Sequence, residues 1–129
     1  MSDDRGRSQA QAQLAEIVRL HEWLELANVN GPDCDIEQAL EEFENLALSV
    51  EHRSDWVSPG ETMKPGEYRI LLCTWGPAVQ VIGELDDGEP SSAQIQYQDW
   101  FTPWETLTPL SSEERDALFE FARRVASVY

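Results

Sequence analysis

Apolar positions along this chain recur at threes and fours, then at twos, then at threes and fours again, which reads as helix, sheet and helix. Over residues 8–28, Leu14, Ile17, Val18, His21, Leu24 and Leu26 or Ala27 follow helical spacing, while Gln13, Glu16, Arg19, Glu22 and Glu25 fill the other faces. Asn30, Gly31 and Pro32 supply a stop, because Gly accepts positive φ and Pro cannot continue a helix. A second helix is expected over 36–48, with Asp35 as its N-cap and Ile36, Leu40, Phe43 and Ala47 as its apolar stripe.

The period then falls to two. A short edge strand is expected over 50–57, around Val50, His52 and Trp56. In the next run Tyr68, Ile70, Leu72 and Thr74 alternate with Arg69, Leu71, Cys73 and Trp75, and Gly76 and Pro77 turn it into a strand over 78–85. The cluster Asp86, Asp87, Gly88, Glu89 and Pro90 makes the following turn, and a strand over 93–99 sets Ala93, Ile95 and Tyr97 against Gln94, Gln96 and Gln98. Ser111 and Glu114 form a capping box for a last helix over 112–127, which turns Leu118, Phe121, Ala122 and Val125 inward and places Arg123 and Arg124 at its negative end. The expected fold is α+β: two N-terminal helices, a three- or four-stranded antiparallel meander and a C-terminal helix, in a single domain over 8–129 behind a flexible tail over 1–7.

Charge narrows the class of partner. Nine Lys and Arg against 25 Asp and Glu leave a formal charge of −16 over 129 residues, which disfavours direct contact with nucleic acid or an anionic membrane. The same field draws in a basic protein. Cys34 and Cys73 are too few for a disulfide scaffold, the N-terminal residues lack the apolar core of a secretory signal, and no apolar run reaches membrane-spanning length. A soluble cytoplasmic protein, a monomer or a small homo-oligomer, is expected.

The acids are not evenly spread. Asp33, Asp35, Glu37, Glu41, Glu42 and Glu44 crowd the second helix into an acidic ridge. Like charges at helical spacing are mildly destabilising, so the ridge does not serve helix stability; it reads either as a solvated face or as a docking surface for a basic partner. A second group of candidate contacts lies at the rim of the sheet: Trp75 at a hairpin turn, the loop of Asp86, Asp87 and Glu89, and the aromatic run of Trp100, Phe101 and Trp104, which suits core closure and partner contact alike. Catalytic chemistry is thin. Cys73, His52 and Asp99 are the one nucleophilic triad that can be assembled, and a cysteine in mid-strand is more often buried than reactive. Neither histidine has a second metal ligand at useful spacing, and no glycine-rich phosphate loop is present, so no metal or cofactor is expected. The alternatives are a small-ligand pocket framed by Tyr68, Trp75, Tyr97 and Trp100, and a homo-oligomeric structural or regulatory protein.

Four segments carry a resemblance. The run SVEHRSDW, the phrase EYRILLCTWGPAVQVIGEL, the Glu89-Pro90 turn and the close QDWFTPW resemble a family of short acidic proteins encoded by tailed phages and prophages of proteobacteria, from about Ser49 into the last helix. That family commonly has Gly where Trp75 stands here. The resemblance implies a non-enzymatic protein of the host-cell cytoplasm that inhibits a host defence complex handling nucleic acid. An anti-CRISPR protein bound to a CRISPR–Cas effector, a basic ribonucleoprotein complex, is the type it points to.

Overall fold

The computed structural model describes the backbone of residues 5–30, 34–74, 77–99 and 102–127, and the side chains of these except 27–30 and 34–36. Among the described residues the chain forms helices α1 (Arg5–Asn30) and α2 (Cys34–Leu46), strands β1 (Ser49–Ser54), β2 (Pro65–Cys73), β3 (Ala78–Asp86), β4 (Glu89–Pro90), β5 (Gln94–Gln98) and β6 (Glu105–Thr106), and helix α3 (Ser112–Ala126). The class and element order follow the periodicity. The helices begin earlier than expected, at Arg5 and Cys34, because an apolar stripe marks where a helix is packed and not where it starts. Asp35 therefore lies inside α2 and does not precede it as an N-cap.

All strand pairs are antiparallel, in the order β1, β2, β3, β5, β6, with β4 on the end of β3. The sheet thus has six strands where three or four were expected. Two causes account for the excess. Asp87 and Gly88 both have positive φ, 55° and 86°, the requirement of a tight two-residue hairpin turn, so Glu89 and Pro90 return directly alongside Asp86 and Leu85. The strand then breaks before resuming as β5. On one side of the break Leu85 faces Pro90, on the other Val81 faces Ile95, a shift of one residue that defines a β-bulge. Strand β6 is two residues long, too short to show alternation in sequence.

One face of the sheet is closed by helices. Ile70, Val81 and Ile95 stand side by side across three strands and are fully buried, under Leu14, Ile17, Leu20, Phe43, Leu118 and Phe121 from the helices. Phe43 of α2 and Phe121 of α3 meet in a tilted pair with ring centroids 5.5 Å apart. Leu20 is fully buried although it lies outside the expected stripe; of the alternatives Leu26 and Ala27, Leu26 is exposed and the Ala27 side chain lies outside the described residues. The capping box of Ser111 and Glu114 opens α3 as read from sequence. The N-terminal end of α1 is held by a more distant group, the Asp99 carboxylate, which accepts a hydrogen bond of 2.9 Å from the Gly6 amide.

Candidate functional site

Among the described residues the other face of the sheet has no helix over it. Its cross-strand rows follow from the register: Arg53, Glu67 and Glu84 in one; Glu51, Arg69, Ile82 and Gln94 in the next; Ser49, Leu71, Gln80, Gln96 and Thr106 in a third. Opposite charges meet directly across strands. Arg53 binds Glu67, and Arg69 binds Glu51 with Nε at 2.9 Å, so each guanidinium directs two nitrogens at one carboxylate oxygen of its cross-strand neighbour. The third row is a relay of amides. Gln96 Nε2 donates to Thr106 Oγ1 at 3.3 Å, and Gln80 Nε2 donates to Gln96 Oε1 at 2.9 Å.

The relay ends on an unanswered group. Gln80 is 5% exposed, and its Oε1 is buried with no hydrogen-bond partner among the described residues. Exchanging the oxygen and nitrogen of the amide would leave a nitrogen orphaned instead, so one end of Gln80 lacks a partner in either orientation. The rows enclose a cavity of about 680 Å³ whose lining includes Gln80, Ile82, Glu84, Gln94 and the half-buried Trp104. That volume is within the range of sites that hold small organic molecules.

The cavity floor is set from beneath by a backbone contact. The Ser92 carbonyl approaches Gly83 so closely that an added Cβ would sit 2.0 Å from it, and the same carbonyl accepts a 2.6 Å hydrogen bond from the Tyr68 hydroxyl. Burial pushes the Tyr68 phenol well above its usual range, which keeps it protonated as the donor. Glu84 N donates to Ser92 Oγ at 3.0 Å, and Ser91 N donates to Glu84 O at 2.9 Å, so the bulge residues are tied to β3 at several points.

The residues singled out in sequence fall in three places. Glu37, Glu41 and Glu44 are exposed on α2, and Glu42 is half-buried, 3.6 Å from Arg19 of α1. Asp33 and the Asp35 side chain lie outside the described residues, as do Trp75, Trp100 and Phe101. Asp86, Asp87 and Glu89 are exposed at the β3–β4 turn, and Trp104 belongs to the sheet cavity. Of the aromatic pocket of Tyr68, Trp75, Tyr97 and Trp100, Trp75 and Trp100 lie outside the described residues, while Tyr68 and Tyr97 are buried on the helix-covered face by strand alternation and Tyr68 also reaches the lining of the sheet cavity.

Cys73, His52 and Asp99 do not form a triad. Cys73 Sγ reaches the Pro77 carbonyl at 3.2 Å, His52 Nε2 contacts the Ala126 carbonyl at 3.1 Å, and Asp99 holds Gly6. Among the described residues no cluster of His, Cys, Asp and Glu could hold a metal ion, and no helix is long and apolar enough to cross a membrane.

Sequence reasoning missed Gln80, Glu84, Gln94, Arg69 and Glu51 as a group. A signal was present: Pro90 and Ile95 both point inward yet are an odd number of positions apart, which demands a bulge between them. Only with that bulge does Gln80 come opposite Gln96. No family model, curated protein or solved structure matches the chain.

Proposed function

We propose that this protein is an acidic binding protein that docks on a basic protein handling nucleic acid, and that it acts as a stoichiometric inhibitor of the anti-CRISPR type in the cytoplasm of a phage host. The observation that carries the reading is electrostatic. Glu37, Glu41 and Glu44 are exposed along one side of α2, while Arg19, Arg53, Arg69, Arg123 and Arg124 are each held against a carboxylate of their own chain. These five of the nine cations are locally neutralised, and the exposed acids on α2 set the field beside them. Such a surface competes for the Lys and Arg groove in which an effector would hold its nucleic acid, and the competition weakens as salt rises. Resemblance to acidic phage proteins supplies the defence context.

The test is displacement of target DNA from a purified, guide-loaded CRISPR effector, read by mobility shift at low and high salt. The wild-type protein is expected to release DNA near one equivalent. Replacing Glu37, Glu41 and Glu44 by Lys is expected to weaken release by about tenfold or more at low salt. Retained inhibition after that charge reversal, or no binding to an effector, overturns the reading.

A further inference from the structure

A buried amide oxygen without a partner is costly, and the surrounding chemistry shows what would satisfy it. Gln80 Oε1 lies at the end of a hydrogen-bonded row whose other members are already paired, and Gln80 lines an open cavity of about 680 Å³. As the amide stands the missing partner is a donor, and with its oxygen and nitrogen exchanged it is an acceptor; no described residue supplies either. The charge of the lining fixes that partner's sign. Arg53 and Arg69 are neutralised by Glu67 and Glu51, whereas Glu84 in the same cavity has no ion pair among the described residues, so the described lining is one negative charge in excess. Trp104 adds an indole, whose face attracts a cation.

We propose that the helix-free face of the sheet is a binding site for a flat, N–H-donating cation, a guanidinium or amidinium group that donates to Gln80 Oε1, faces the Glu84 carboxylate and stacks on Trp104. A guanidinium meets these three demands together. It is planar, carries its charge over several N–H donors, and is less strongly hydrated than an ammonium, so it gives up water to a half-enclosed site more readily. An anionic ligand meets the uncompensated Glu84. A purely apolar one leaves Gln80 unanswered. The guanidinium belongs either to a free small molecule or to an arginine side chain of a protein, and the two sources share this chemistry. The site is separate from the acidic side of α2, so it stands or falls independently of the docking proposed above.

The experiment is a titration of the full chain, followed in ¹H–¹⁵N spectra at the Gln80 side-chain amide and the Trp104 indole. The probes are methylguanidinium, N-acetylarginine N-methylamide, an acetylated Gly-Arg-Gly amide, and N-acetylcitrulline N-methylamide as the neutral isostere. Saturable shifts with the guanidinium probes, and binding of citrulline at least about tenfold weaker, are expected. Equal affinity of methylguanidinium and the arginine peptide identifies a free cation as sufficient; a gain confined to the peptide identifies a protein side chain. Gln80→Met and Glu84→Gln are each expected to lower affinity by about tenfold. Gln80→Met removes the unsatisfied oxygen and also the donor to Gln96 Oε1, so a folded ¹H–¹⁵N spectrum of the variant is the control that separates loss of binding from unfolding. Lys at Glu37, Glu41 and Glu44 is expected to leave these shifts unchanged. No saturable shift below about 10 mM, citrulline binding as well as arginine, or unchanged affinity in Gln80→Met overturns the proposal.

Discussion

The two faces of this sheet are made by the same strands and differ by one position along each. On the helix side Ile70, Val81 and Ile95 are sealed under apolar side chains. On the open side their immediate neighbours Arg69, Gln80 and Gln94 contribute charge, a buried amide and a cavity. The sheet residues of the first face are finished by apolar contact, apart from the Tyr68 hydroxyl, which the Ser92 carbonyl satisfies, and on α1 one buried atom, His21 Nδ1, has no partner among the described residues. The second face has the Gln80 amide withdrawn from water, its Oε1 without a partner among the described residues, beside a cavity. The apolar contacts are thus concentrated on one side and the cavity on the other.

That contrast is most severely tested by Phe121→Ala. The ring is fully buried against Phe43, and its loss is expected to remove about 3–5 kcal/mol of stability, measured by urea unfolding. A loss no larger than that of an open-face charge would mean that stability does not follow those apolar contacts. Gly83→Ala comes next, with an expected loss of about 1–3 kcal/mol, because the atom it meets is the Ser92 backbone carbonyl and cannot rotate away. Its unfolding curve should shift without a change in slope. The smallest effect is expected from the Glu51–Arg69 pair, where both side chains are more than half exposed. A double-mutant cycle with Ala at both positions should give a coupling of at most about 1 kcal/mol that shrinks as salt is added. A coupling well above that, or one insensitive to salt, would make the open face a stabilising element in its own right.

The helix-covered face was largely legible in sequence because it depends on periodicity. Ile70, Ile95, Leu118 and Phe121 are placed by spacing alone, and each is buried. The open face was not, because it depends on register. The Asp87-Gly88 turn pairs Asp86 with Glu89, and continuing that register unbroken would set Gln80 against Ile95, a polar group against an apolar one. The bulge moves the pairing on by one residue and gives Gln80 to Gln96 and Val81 to Ile95. The Glu51–Arg69 pair is hidden for the same reason, since the residues are far apart in sequence and meet only when β1 and β2 are aligned. The acidic side of α2 was readable from spacing, and Glu42 departs from it by leaning toward Arg19. The failed triad shows the limit of assembling residues by type: Cys73, His52 and Asp99 each serve a nearby piece of backbone.

The hydrogen bond from Gly6 to Asp99 links the first helix to a residue 93 positions later. On the ribosome, α1 emerges long before the carboxylate that holds its end, and before β5 and α3, against which it also packs. Its fully buried residues Leu14, Ile17 and Leu20 therefore have no complete site to enter until most of the chain has been made. Completion of the core is confined to the end of synthesis, and until then the nascent helix presents to the ribosome and its chaperones the apolar stripe that the finished protein conceals.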